Sequence, residues 1–576
     1  MMNTGENGTL QYTEEGVNSS IVALFFVLCR DLPDERLYSM MNKHMEKSVN
    51  KSECITDLFV IAMQTRDCRG GKGERTLSYK MFIHLYKFYP AAVRQLFGLF
   101  GEYGYYKDLF QMSKLAATIL LPCDARSFTS GIIEIIVEQI KKDTSILDGH
   151  VGSASIDAQI SMCAKYCPRE GKHFTSDKVL FSGMVNALFP DTPTTNKKQY
   201  RQLISRLTRA INIPETKMCE KRFKEIDFAK MPSRCAKKFS KAFLNEKIDH
   251  KKVSKFGLGG TRITGNNETG NNETGNRYPQ DVDRVLCRQH MLDAAKKCEL
   301  KGGQLDPHEL IEPIYSNFNQ HKLSDAQLEV INAQWIHMRK QMQQVLNANE
   351  TLSKPLRLIP LSDVSGSMNG IPMIVSIALG ILVSEINHPA FRDRVLTFET
   401  DSKWVNLSDL TTISQKVERL RHAGWGGRTN LNSALHKICE VARVNRLSME
   451  DIPDLIVFSD MQFDNADNNF KSQLDYIRDM FSDLGIQISG IPYPVPKIIF
   501  WNLRGNTWGF PAQSTSDNVQ MLSGYSHSML KHVIEGKPFP ALDEYVLTPY
   551  QTLRKVLDDT RYDPVRTILA QSLDLC

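Results

Sequence analysis

The chain carries twelve cysteines, yet no two are spaced C-x-x-C. That argues against a zinc site and points to a reducing compartment, where isolated buried thiols are the norm. The nearest pair, Cys163 and Cys167, stands one helical turn apart. A long uninterrupted apolar run is also missing. The strongest candidate, Ile371 to Ile386, contains Ser376, Ser384 and Glu385, which marks a core helix rather than a membrane span. Residues Met1 to Gln11 are polar, without a basic-then-apolar leader pattern, so a cytoplasmic protein with no membrane partner is expected. Gly70-Gly71-Lys72-Gly73 lacks the upstream glycine and the following Ser or Thr of a P-loop. Nothing ties a histidine to Ser365, and no hydrolase constellation emerges elsewhere, so an enzyme is not expected. No aromatic RNP strand is present either.

Neither sign of charge dominates. The net charge is +6 on 576 residues, with 41% hydrophobic and 24% charged residues, an ordinary globular composition. The distribution is uneven. Residues 1–351 hold 49 Lys and Arg against 40 Asp and Glu, while residues 352–540 hold 18 against 19. A surplus of this size permits a phosphate-bearing partner without demanding one.

A chain this long exceeds a single core, and two patterns divide it. From about residue 15 to 250, apolar positions recur at helical spacing, as in Ile21–Leu28, Cys54–Gln64, Leu77–Tyr89 and Ala91–Phe100, and strand signals are scarce. Short breaks between helices predict a helical-repeat domain over 1–351, HEAT-like in character, although no fixed repeat period is visible. Within it, Gly265–Thr269 is duplicated at once as Gly270–Thr274. This polar stretch cannot bury apolar surface and predicts a disordered loop near 257–280. Its Asn267 and Asn272 triplets are chance glycosylation matches in the absence of a leader.

From Pro355 strands and helices alternate, which predicts a largely parallel, Rossmann-like sheet over 352–540. Residues 541–576 are expected to form a helical tail packing on the helical domain. The fold class is therefore α followed by α/β. The α/β part carries the chemistry. Asp363-Val364-Ser365-Gly366-Ser367 directly follows the apolar run Leu356–Leu361, offering a carboxylate and two hydroxyls at alternate positions. Gly426-Gly427-Arg428-Thr429 opens a helix with a threonine hydroxyl, and Leu455–Phe458 leads through Ser459 to Asp460. Three loops at strand C-terminal ends would converge on one divalent cation. All-oxygen ligands suit Mg2+ (or Mn2+).

Asp363, Ser365, Ser367, Thr429 and Asp460 together resemble the metal-ion-dependent adhesion site (MIDAS) of von Willebrand factor A domains. The resemblance implies that these five residues bind the ion directly or through water, and that an open position takes an Asp or Glu from a partner protein. The whole chain also resembles a family of uncharacterised eukaryotic and large-virus proteins with a helical N-terminal half and this A domain. The likeness lies in Glu6–Leu10, Gln64–Arg75, Gly104–Leu109, Cys167–Lys172 and Glu225–Phe228. A virion would be the compartment of a viral member. The architecture is similar to the Ro-type ribonucleoprotein (TROVE) group, whose helical ring, closed by an A domain, binds small structured RNA.

That likeness directs attention to basic residues at helix boundaries, where free amides can seat phosphates. Arg66, Arg69, Lys72 and Arg75 surround one boundary, and Lys165, Arg169, Lys172 and His173 another. The expected function is a non-enzymatic, magnesium-binding scaffold whose helical part binds structured RNA. A protein–protein adaptor without nucleic acid is the alternative. The same eight residues also fit solvated helix ends and internal salt bridges.

Overall fold

The computed structural model describes the chain except residues 6, 48–50, 150–158, 171–177, 247–274, 317–322, 349–356, 390, 399–401, 423–429, 464–472, 507, 535–547 and 574–576. Among the described residues, helices dominate as far as Ala348, and six of the eight strands lie beyond it.

The helical part is built on apolar segments buried all round. Every residue from Ile21 to Val27 in the helix Ser20–Val27 is buried. A helix without a polar face must lie inside the molecule. Helices then stack on neighbours in sequence: Lys51–Arg66 on Thr76–Tyr86, Tyr106–Ile119 on Pro122–Gly149, and Pro122–Gly149 on Lys178–Leu188. A second, smaller core gathers Phe223, Phe228, Phe243, Cys287, Met291 and Val330.

The sheet holds β3 (Leu358–Asp363), β4 (Arg394–Phe398), β5 (Lys403–Asn406), β6 (Asp454–Ser459), β7 (Ile498–Asn502) and β8 (Val519–Ser523). Their order is β5-β4-β3-β6-β7-β8. All pairings are parallel except β4 with β5. β3, β7 and β8 are buried at every residue and β6 from Leu455 onward, hence their near-continuous apolar runs. β5, with one buried residue in four, is the polar edge. From β3 the chain builds outward to β4, then returns to place β6 on the other side of β3. The order reverses between β3 and β6, and the crevice at their C-terminal ends is the topological switch point of the sheet.

The change of pattern near residue 351 is not a change of core. One continuous apolar cluster includes Leu24, Phe82 and Trp335 from the helices, Leu361 and Phe500 from the sheet, and Leu569 near the C-terminus. The helix Asp563–Leu573 lies on Lys51–Arg66 and Pro90–Leu96. There Arg561 binds the fully buried Asp67 carboxylate, with one contact at 2.9 Å.

Two features lie beyond the sequence reading. A hairpin of β1 (Met2–Thr4) and β2 (Leu10–Tyr12) opens the chain, with Tyr12 bridged to Phe510. The loop expected over 257–280 falls outside the described residues only as far as 274. From Gly275 the chain is placed, and the Asn245 side chain accepts from Tyr278 N at 3.1 Å. An asparagine in the left-handed region (φ 52°) supplies that anchor, with no local sequence signal for it.

Candidate metal centre

Asp363 is the last residue of β3, and Asp460 follows the last residue of β6. Parallel register sets Ser362 opposite Phe458, which brings Asp363 level with Ser459 and leaves Asp460 one step beyond. Both carboxylates are buried, Asp363 at 0% exposure and Asp460 at 1%. The Ser459 hydroxyl donates to Asp363 Oδ2, and Ser365 N donates to Asp363 Oδ1 at 2.9 Å. Beyond β6, Gln462 N donates to Asp460 Oδ1 at 3.2 Å.

The first loop turns as its sequence demands. Ser365 is extended and precedes the short 3-10 turn Gly366–Met368, and Gly370 at φ 100° starts the helix Ile371–Ile386 with Pro372 in its first turn. Ser365 and Ser367 hydroxyl oxygens stand 3.1 Å apart, the former buried and the latter exposed. Thus the loop runs from a buried carboxylate to an exposed serine.

Electrostatics distinguish this spot from an ordinary buried aspartate. Burial pushes the Asp363 carboxyl up to about 7; the Asp460 carboxylate pushes it the same way, and hydrogen bonds to Ser365 and Ser459 oppose both. No basic side chain figures among these influences. Two buried like charges disfavour each other's ionisation unless a cation balances them. Two carboxylates and hydroxyl oxygens, without imidazole or thiolate, form a hard donor set that fits Mg2+ or Mn2+. Among the described residues no three His, Cys, Asp or Glu side chains converge.

Thr429 lies outside the described residues. The helix it precedes, Leu431–Val444, is capped by Asn430, whose side chain accepts from Ser433 N at 3.0 Å. Ser459 is a site residue that sequence reasoning missed. A serine ending a buried strand carries no motif, and only the register shows that it meets Asp363.

The basic candidates divide. Arg66 ends the helix Lys51–Arg66 fully buried, paired to Asp108 at 2.6 Å. Asp108 also accepts from Tyr105 N at 2.6 Å. Lys72 is 1% exposed, and its Nζ donates to Phe25 O at 2.8 Å, to Leu28 O at 3.3 Å and to Ser523 Oγ. It caps the C-terminal carbonyls of the helix Ser20–Val27, where a cation complements the helix dipole, and ties them to the end of β8. Burial lowers its pKa to about 7. Neither Arg66 nor Lys72 can meet a polyanion from inside the protein. Arg69, Arg75 and Arg169 are exposed, Arg169 donating to Thr208 Oγ1 at 3.1 Å, and the half-buried Lys165 pairs with Glu215 at 2.9 Å. Lys172 and His173 lie outside the described residues.

Comparison with known proteins adds two family matches and a relative. Residues 357–570 match a family model described as Domain of unknown function (DUF7788). Residues 122–258 match a second, Domain of unknown function (DUF2828). The chain is also similar to "Uncharacterized protein L728" of Acanthamoeba polyphaga mimivirus, at 27% identity over 560 residues, covering 95% of this chain and 87% of that protein. The first match starts at the entry to β3 and runs through both site strands into the last helix. It thus takes the tail together with the sheet.

Proposed function

We propose that this chain is a non-enzymatic scaffold whose sheet part is a von Willebrand factor A-type module holding Mg2+ (or Mn2+). Asp363, Ser365, Ser367, Asp460 and Thr429 would hold the ion, and it would supply an electrophilic position for an Asp or Glu of a partner protein at the exposed Ser367. What supports this reading above all is the pairing of two buried carboxylates at the switch point, with Asp460 rather than a basic side chain as the charge that acts on Asp363 among the described residues. The test is a thermal melt in rising MgCl2. The wild type should gain stability with ligand concentration, since a ligand bound only by the folded form stabilises it by mass action. Asp363→Asn should not respond. An unchanged magnesium response in that variant would remove the proposal.

A second reading assigns structured RNA to the helical part, which we propose as HEAT-like. Its support is that the Arg75 charge of the first boundary acts on Tyr166 of the second, whose ring stands 6.4 Å from that of Tyr105. Cationic and aromatic groups side by side suit unpaired bases and phosphates. Binding to small structured RNA should fall as salt rises and fall again in Arg69→Gln/Arg75→Gln/Arg169→Gln. Partner capture that survives ribonuclease would favour the adaptor without nucleic acid. Among the described residues no helix is long and apolar enough to cross a membrane. We propose the cytoplasm as the compartment, with a virion as the alternative that the mimivirus relative supports.

A further inference from the structure

The backbone after Asp460 is unusual, and a distant part of the chain holds it. Met461 adopts φ 65°, a left-handed conformation that side chains with a Cβ rarely take. Met461, Gln462 and Phe463 are all nearly fully buried. Their three carbonyls each accept one hydrogen bond from the N-terminal hairpin. Gln11 Nε2 donates to Met461 O at 2.6 Å, Asn7 Nδ2 to Gln462 O at 2.8 Å, and Thr9 Oγ1 to Phe463 O at 2.8 Å. Asn7 and Thr9 stand on either side of Gly8, whose φ of 93° turns the chain into β2, and Gln11 follows within β2.

The hairpin is itself fixed. Tyr12 and Phe510 exchange two backbone hydrogen bonds of 3.0 Å each. Gln462 Nε2 reaches Trp508 O at 3.3 Å. A Cβ on Gly509, which has φ 106°, would lie 2.0 Å from Gln11 Oε1. A glycine there lets the glutamine lie flat between the two segments. On the other side, Met461 N donates to Ser459 Oγ at 3.1 Å, and Ser459 donates to Asp363. The strained residue therefore sits between the hairpin and both carboxylates.

We infer that Asn7, Thr9 and Gln11 are positioning residues for the cation site: they fix the Met461–Phe463 backbone and through it the direction of Asp460. Asn7 and Thr9, from the stretch that carries part of the sequence likeness, thereby acquire a role 455 and 454 residues away in the chain. The inference rests on the cation-binding reading above. Its physical basis is that groups behind the first ligands orient them, and their loss weakens metal affinity.

The test uses Mn2+ alone as the probe, with the full chain and electron paramagnetic resonance to separate free from bound ion. Thr9→Val/Gln11→Met keeps shape and removes two donors, and should weaken Mn2+ binding about tenfold or more. Thr9→Ser, which keeps a donor, should bind as the wild type does. Ser572→Ala removes a distant bond to Gln95 and should change nothing. Where the double variant does not fold, the exposed Asn7→Ala must still weaken binding, by about threefold for one lost hydrogen bond. Wild-type affinity in folded variants, even with a lower melting temperature in EDTA, overturns the inference and leaves the cation reading standing. A wild-type protein that takes up no Mn2+ removes both.

Discussion

Arg66 and Asp363 end apolar elements, a helix and a strand, and both are fully buried. They differ in what they meet. Arg66 meets the opposite charge of Asp108, with Tyr79 and Tyr105 completing that carboxylate's hydrogen bonds. Asp363 meets another carboxylate, Asp460, and hydroxyls. A buried charge with a matched partner is neutralised within the protein. Buried charges of one sign disfavour each other's ionisation, which a cation between them would relieve. The two places look alike in sequence, as polar residues after an apolar run, and only their neighbours distinguish them; the binding role of the second is our proposal.

The largest way to break this comparison is on the structural side. Arg66→Met leaves Asp108 buried without its cation and should cost ~3–5 kcal/mol in denaturant unfolding. Arg66→Met/Asp108→Leu should recover much of that. If the single change costs under ~1 kcal/mol, Arg66 is not in the matched pair described.

Next is the ligand side. At 100 times its Kd, Mg2+ should stabilise the wild type by ~2.7 kcal/mol, and Asp363→Asn should lose all of it. In EDTA at pH 8 the same variant should be as stable as the wild type or more so, because it relieves like-charge contact. A destabilised apo variant would make Asp363 a structural residue.

The two regions should also titrate in opposite directions. Asp363 is raised to about 7, so its contribution is full below the ordinary carboxyl value and is lost as pH rises through about 7. Lys72 is lowered to about 7, so its contribution is full above the ordinary lysine value and is lost as pH falls through about 7. Unfolding measured from pH 4 to 10 in EDTA should show the acidic-side loss vanish in Asp363→Asn and the alkaline-side gain vanish in Lys72→Met. The magnesium shift should be greater at pH 8 than at pH 5, since a protonated carboxyl is a poor ligand. Equal shifts at both pH values would contradict the assignment.

The smallest effect belongs to the surface. Arg69→Gln/Arg75→Gln should alter stability by no more than ~0.5 kcal/mol. A larger loss would show that these two, like Arg66, belong to internal packing.

Much of the sheet was legible because strands buried on both faces must be apolar along their whole length. Arg394–Phe398 falls where it was expected, and the runs before Asp363 and Asp460 led to adjacent strands. Alternation of strands and helices implied the parallel order, and the motif spacing placed both carboxylates at one edge. The rest was hidden for identifiable reasons. The hairpin strands Met2–Thr4 and Leu10–Tyr12 are three residues each and largely polar, too short for any period to register. Arg66 and Lys72 declare their charge but not their partners, which stand 42 residues away at Asp108 and more than 40 away at Phe25 and Leu28. Ser459 looks like any strand end. Nor did the change of pattern at 351 show that side chains from both parts join one apolar cluster.

The most direct measurement is a crystal structure grown with MnCl2 and its anomalous scattering map. The account predicts one Mn2+ peak between Asp363 and Asp460, within ~2.0–2.6 Å of their nearer oxygens or one bridging water away. No peak there, or a peak elsewhere with these two carboxylates left facing each other, would contradict it.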